Sequence, residues 1–203
     1  VADLVPLDHN NRILIHQGLR RIRAGLSVPG IVALLELSDR NFTRAVASDL
    51  GFAVAARLNA AGRLDDMSLG IECLLCDDGA RARDIARRLD QLNNERKSIE
   101  QDMQTQALEA LNKLILRLQG ELPNGLCLFD TSWHQGVIGI LAARIKDRFN
   151  RPVIVFAPGQ ENELKGSARS IAGLHIRDIL ALIDAQYPGL IHKFGGHAMA
   201  AGL

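Results

Sequence analysis

The 203-residue sequence is short of cysteine, of long apolar runs and of net charge, and each shortage closes off a class of protein. Three cysteines are an odd, sparse set that argues against the disulfide framework of a small secreted protein and for a reducing cytosol. The longest apolar runs, such as Val153–Ala157, fall far below the ~20 residues that a membrane-spanning helix needs, so no membrane partner is expected. With 24 Lys and Arg against 23 Asp and Glu, the formal net charge is only +1. Nucleic-acid or phosphate binding must then come from placed residues rather than from bulk charge. Motifs of the form G-x-x-x-x-G-K-[ST], G-x-S-x-G and H-E-x-x-H do not occur. No secretory signal is visible.

What is present is a foldable chain. Hydrophobic residues make up 47% and charged residues 23%, which excludes a disordered or low-complexity protein. The length allows one large domain or two small ones, each with a real core. The chain opens with Val1 in an apolar, extended-looking VADLVPL and closes on GGHAMAAGL, so both ends read as interior to a longer protein.

Three segments follow from the patterning. Residues 1–78 alternate short apolar runs with helical periodicity over Arg12–Ala24, Gly30–Leu37 and Asp49–Leu58, with Pro29 suited to a first helical turn. Residues 79–118 lack proline and any glycine after Gly79. They carry Ile85, Leu89, Leu92, Ile99, Met103, Leu108, Leu111 and Ile115 at helical spacings. The pattern predicts one helix of about 60 Å at 1.5 Å per residue. A dimeric coiled coil is the alternative to a helix bridging two domains, but the stripe is thin and turns polar over Asn93–Lys97. Residues 119–203 alternate strand and helix: Leu126–Phe129, Gly136–Phe149, Pro152–Ala157, Lys165–Ile171 and Ile176–Ala185. The fold class is therefore α/β, two α/β domains joined by a long helix, with a right-handed crossover onto a mixed sheet in the second.

Several groups could carry chemistry. Asp3 is a carboxylate among apolar, strand-like neighbours; it is either a strand-end or capping aspartate or one ligand of a metal, since a buried charge must be paired. Arg57, Asn59 and Arg63, around a predicted tight turn with Gly62, suit a phosphate, or else form a helix C-cap salted to Asp65 and Asp66. His134 lies between a strand and a helix start, where it either binds an anion or caps the helix. Alternation points Ser167 and Arg169 to one face, with Ser170 next to them, the donor set of an anion site. Gly195 and Gly196 before His197 could fold into an amide nest, although Gly-Gly turns are common. Cys73-x-x-Cys76 sits in an apolar helical stretch without a second pair and reads as buried helix cysteine.

Singly these signals are modest; their order is specific. VADLVPL, RLNAAGRLDD, a long helix, WHQGVIGI, GSARS and KFGGHAMAAG resemble, in that order and over essentially the whole chain, the single-stranded-DNA-specific exonuclease branch of the DHH phosphoesterase superfamily. The resemblance implies the end of a DHH catalytic domain over 1–78, a connecting helix over 79–118 and most of a DHHA1 domain over 119–203, with the active cleft between the domains. The implied reaction is metal-dependent hydrolysis of single-stranded DNA from the 5′ end, releasing 5′-mononucleotides in DNA repair and recombination, with Mn²⁺ or Mg²⁺ as cofactor. It makes Asp3 a metal ligand, and His197, Arg63 and Asn59 catalytic. Arg57, His134, Ser167, Arg169, Ser170, Gly195 and Gly196 become nucleic-acid-binding, with Ser167, Arg169 and Ser170 gripping the 5′ phosphate or backbone. Implied partners are single-stranded DNA, a single-strand-binding protein and a RecQ-type helicase, and the implied location is a bacterial cytoplasm.

Two features depart from that family. No Asp-His-His occurs, so the residues present are expected to bind DNA weakly and cut nothing. Ala168 stands where the family usually has glycine; a methyl could narrow the approach of a sugar or phosphate, but so small a change is expected to be tolerated. The alternatives are a DHH phosphoesterase acting on short oligoribonucleotides or cyclic dinucleotides, and a catalytically silent DHH scaffold in a replication complex.

Overall fold

The computed structural model describes residues 5–118, 122–159 and 163–203. The chain divides into two compact units, Val1–Lys97 and Ser98–Leu203, and the division falls inside one continuous helix. Among the described residues no helix is long and apolar enough to cross a membrane.

The first unit is helical throughout its described residues. The strand-like start at Val1–Leu4 lies outside them. Helix α1 (His9–Arg23) begins where Asp8 accepts the Asn11 N–H at 2.8 Å, satisfying an end amide. Helix α2 (Pro29–Glu36) starts on the proline whose missing N–H costs nothing at a first turn. The helix expected over Asp49–Leu58 is composite: α3 (Ala47–Asp49), a π-helical turn over Leu50–Val54, and α4 (Ala55–Leu64). The Asp49 carboxylate holds the Val46 N–H at 2.9 Å at its start. Helix α5 (Ser68–Leu75) and the first half of α6 (Gly79–Arg117) complete the unit. Their apolar faces meet at Leu19, Ile22, Leu34, Leu35, Val54, Ala61, Cys73, Ile85 and Leu89. Burial pushes the Cys73 thiol up to about 11, with Cys76 and Glu72 adding to the shift. It is a core side chain, not a reactive one.

The second unit holds the sheet. Strands β1 (Leu126–Phe129), β2 (Val153–Pro158), β3 (Leu164–Arg169), β4 (Gly195–Gly196) and β5 (Ala200–Gly202) lie in the order β1-β2-β3-β5-β4. The β1–β2 pair is parallel and the others antiparallel, so the sheet is mixed, as the strand–helix–strand spacing predicts. Register Ile154↔Ala168 and Val155↔Ser167 sorts the side chains by face. Leu126, Leu128, Val153 and Val155 share a face with Ser167 and Arg169, against which helix α7 (Ile138–Phe149) packs. Ala168, Ile154 and Ala201 share the other, under Ile176 and Leu180 of helix α8 (Ile176–Gln186). The second half of α6 buries Met103, Ala107 and Leu111, and its Glu100 accepts from Arg144 Nε of α7 at 3.2 Å.

Candidate nucleic-acid interface

The second unit brings three of the sequence motifs to one face of the sheet. Arg169, at the end of β3, donates from Nη1 to Ser167 Oγ at 3.2 Å and to the Ala168 carbonyl at 2.9 Å. The first turn of α7 closes on them: a Cβ built on Gly139 would lie 3.1 Å from both Ser167 Oγ and Arg169 Nη2. Glycine at that point lets helix and strand approach within reach of one small anion. A guanidinium, a hydroxyl and the positive end of a 12-residue helix therefore share one locus.

His134 stands just before that turn. Its Nδ1 accepts the Gly136 N–H at 3.1 Å, and its carbonyl accepts the Val137 N–H at 3.0 Å, so the residue folds its own loop and Nε2 is the ring's remaining donor. The helix itself starts later than expected, at Ile138. Two contacts that sequence reading missed fasten this loop. The indole of buried Trp133 donates to Gln106 of α6 at 2.7 Å. The Asp130 carboxylate accepts from both the Oγ and the N–H of Ser132, which holds its carboxyl below the usual range. The first pairing leaves no local signal, because Gln106 lies 27 residues from Trp133, whereas Asp130 and Ser132, two residues apart, form a turn that the sequence itself carries.

Ser170 does not join the face. It is 1% exposed and its hydroxyl donates to the Leu174 carbonyl at 2.7 Å, so alternation carries it into the structure. Ala168 has a physical reason to be tolerated. Its methyl is fully buried on the α8 side, away from Ser167 and Arg169, and cannot narrow the approach of a ligand there.

Gly195 and Gly196 form β4, paired with Gly202 and Ala201 of β5. They are therefore hairpin residues rather than an open amide nest. Gly196 has φ +148°, and a Cβ there would meet the Ala200 carbonyl at 2.4 Å. The His197 N–H closes the turn onto the same carbonyl at 2.8 Å, leaving an exposed imidazole at the hairpin tip. Arg169 pairs with Ala200, and the Ser170 N–H bonds the Met199 carbonyl, so this tip adjoins the Arg169 end of β3.

In the first unit the arrangement differs from the sequence expectation. Arg57, Asn59 and Arg63 do not surround a turn; all lie inside α4, where buried Ala60 and Ala61 sustain the helix. Helical spacing puts exposed Asn59 and Arg63, four residues apart, on one face and Arg57 on another. Arg57 donates from Nε and Nη2 to Asp90 Oδ1, each at 2.8 Å, and from Nη1 to the Ala53 carbonyl at 3.0 Å. It lines a cavity of about 350 Å³ with Ser38, Arg40, Ser48, Asp49, Phe52 and Ala53. Arg40 is itself 3.5 Å from Asp49, so acidic side chains offset both of the cavity's arginines. Asp65 and Asp66 go elsewhere, to Arg88 at 3.6 Å and to the Ser68 N–H at 2.8 Å. Asp3 lies outside the described residues, and among those residues no group of three or more His, Cys, Asp or Glu could hold a metal.

Comparison with known proteins agrees with this geometry. Residues 122–203 match the DHHA1 domain. The whole chain is 62% identical to the single-stranded-DNA-specific exonuclease RecJ of Dickeya dadantii, covering 35% of that protein. It is 35% identical to the RecJ of Bacillus subtilis, covering 25% of it. Among solved structures, RecJ of Thermus thermophilus in complex with Mg²⁺ superposes with a TM-score of 0.80 at 34% identity. That match covers all of this chain and 29% of the other. A RecJ structure bound to manganese superposes with a TM-score of 0.76, with 47% of its chain covered. The chain thus spans about a third of the length of the first curated relatives. It carries a DHHA1 domain over residues 122–203 and is similar, from end to end, to part of the RecJ exonucleases.

Proposed function

We propose that this chain is the core of a single-stranded-DNA-specific exonuclease that hydrolyses its substrate from the 5′ end and releases 5′-mononucleotides in DNA repair and recombination. The observation that carries the reading is the Ser167–Arg169 pair set against Gly139 at the start of α7. A planar guanidinium beside a hydroxyl and a helix start matches the oxygens of a phosphate and reads no base. Similarity over the whole of this chain to about a third of proteins named single-stranded-DNA-specific exonucleases supports single-stranded DNA as the polymer.

Each residue then has a stated task. Arg169 and Ser167 hold a terminal or backbone phosphate, and His134 adds a donor from Nε2. His197, on the hairpin tip, and Asn59 and Arg63, on the outer face of α4, are the groups assigned to the reacting phosphate. Arg57 holds α4 to α6, and Ser170 secures the loop after β3. Residues 1–78 would be the end of a DHH domain.

The RecJ structures with Mg²⁺ and Mn²⁺ make a divalent ion the expected cofactor. Such an ion supplies an activated water and stabilises the departing oxygen. The described residues do not compose such a centre by themselves. Asp3 is proposed as one ligand, and no step is derived through the ion. A bacterial cytoplasm, with a single-strand-binding protein and a RecQ-type helicase at hand, is the setting that fits.

The test is a degradation assay of the natural protein carrying this sequence, with Mn²⁺ and end-labelled DNA. Mononucleotides released from the 5′ end of single strands, with duplex spared, support the reading. Equal attack on duplex, or release from the 3′ end, contradicts it.

A further inference from the structure

Helix α1 carries a second cationic surface that the 5′-phosphate grip does not use. Its fifteen residues, HNNRILIHQGLRRIR, contain four arginines, two histidines and no acid. At 100° per residue, His9, Arg12, His16, Arg20 and Arg23 fall within one stripe about 80° wide. All five are exposed. Arg21 points elsewhere on the same helix, one residue off the stripe.

Two features set this stripe apart from an ordinary solvated face. Elsewhere in the first unit, Arg40, Arg57, Arg81, Arg87 and Arg88 each carry an ion pair with an acidic side chain, while Arg44 and Arg83 stand singly rather than in a stripe. Among the described residues, none of the four α1 arginines has such a partner. Like charges three and four residues apart weaken a helix by a few tenths of a kcal/mol per pair, a cost that the helix dipole offsets only for the arginines of the last turn. The ends of the stripe are also held in place. Arg12 Nε donates to the Leu7 carbonyl and Arg23 Nε to the Ala45 carbonyl, each at 2.8 Å, so that neither bond engages a terminal nitrogen of the guanidinium. The rise between successive stripe residues is about 4.5–6 Å, comparable with one nucleotide step of an extended strand.

We infer that the α1 stripe is a track for the phosphate backbone of single-stranded nucleic acid, separate from the Ser167–Arg169 locus and lying in the other compact unit. The inference rests on the nuclease reading for the identity of the polymer. Exposed cationic and histidine side chains at nucleotide-like spacing, two of the arginines anchored through Nε and no aromatic residue interleaved in α1, fit sequence-independent backbone contacts.

The experiment is a salt titration of binding to a fluorescent oligothymidylate, with chelator present so that nothing is cut. The wild-type protein is compared with Arg20→Ala, Arg21→Ala and the Arg12→Ala/Arg20→Ala/Arg23→Ala triple variant. Each phosphate contact on a single strand contributes about 0.7 to the slope of log K against log salt. Arg20→Ala is expected to flatten the slope by about 0.7 and the triple variant by about 2, while Arg21→Ala leaves it unchanged. Arg20→Gln guards against any helix-propensity effect and should match Arg20→Ala. Equal slopes for wild type, Arg20→Ala and Arg21→Ala, with Arg169→Ala still weakening binding, would overturn the stripe and leave the nuclease reading standing. No binding by the wild type would overturn both. Loss of binding to phosphatidylglycerol vesicles in Arg20→Ala, with the DNA slope unchanged, would assign the stripe to a lipid surface and overturn the inference.

Discussion

Arg169 reaches back along its own strand to Ser167, Nη1 to Oγ at 3.2 Å, and both side chains lie against Gly139 of the facing helix. The two donors are therefore placed relative to each other before any ligand arrives, and the glycine is what allows the helix start to join them. Gly139→Ala puts a methyl 3.1 Å from both groups. The pair must give by a few tenths of an ångström. The expected outcome is several-fold weaker binding of a 5′-phosphorylated single strand, with the thermal midpoint shifted only slightly, as read by fluorescence anisotropy beside a melting curve. Unchanged affinity would show that the pair does not contact the ligand.

Ala168, between the two, belongs to the opposite face and to the α8 core. Ala168→Gly should therefore cost about 0.5–1 kcal/mol of stability through backbone freedom, plus the lost methyl packing, and leave DNA affinity as it was. Chemical denaturation and a binding isotherm on the same variant separate the two effects.

Arg57 is a structural arginine in this fold. Arg57→Ala removes charge-assisted bonds to Asp90, each class of which contributes about 1.5–3 kcal/mol. Urea unfolding should show a loss of that order. A double-mutant cycle with Asp90→Ala should recover part of it, because the second change removes the stranded carboxylate. A variant that folds with full stability and fails only to bind DNA would return Arg57 to the interface.

Cys73 gives a pH signature with a definite sign. Its thiol has a folded pKa raised to about 11 from an ordinary 9.0, chiefly by burial. A raised pKa contributes stability that is fully present below 9 and is lost as pH rises toward 11. The unfolding free energy should fall across that window, and Cys73→Ala, although it leaves a small cavity, should flatten the fall. In thiol labelling at neutral pH, Cys73 should react only when the first unit opens.

Much of the fold was legible in the sequence where a single periodicity decides it. Leu126–Phe129 is a strand with the predicted bounds, and α6 runs from Gly79 to Arg117 because no breaker interrupts its helix formers. Alternation also placed Ser167 and Arg169 together, since the period of a strand is two. What was illegible depends on partners far along the chain. The residues of RLNAAGR look like a turn because Asn59 and Gly62 are turn formers. Buried Ala60 and Ala61 and the Arg57–Asp90 pair, 33 residues apart, decide for helix. Ser170 looked equivalent to Ser167, but only the turn to Leu174 shows that its hydroxyl is committed. Gly139 gave no signal of its own, because its role is defined by β3.

The central claim is that the Arg169 face grips the 5′ phosphate, and paired affinities for two oligonucleotides test it most directly. The same single strand, with a 5′ phosphate and with a 5′ hydroxyl, is titrated against wild type, Arg169→Ala and Arg169→Lys. A lost charge-assisted contact contributes about 1.5–3 kcal/mol, or roughly ten- to a hundred-fold. The account predicts that loss for Arg169→Ala on the phosphorylated strand and a much smaller one on the hydroxyl strand, with Arg169→Lys between, since it keeps the charge but not the fork. Equal losses on both strands would contradict it and make Arg169 a general backbone or structural contact.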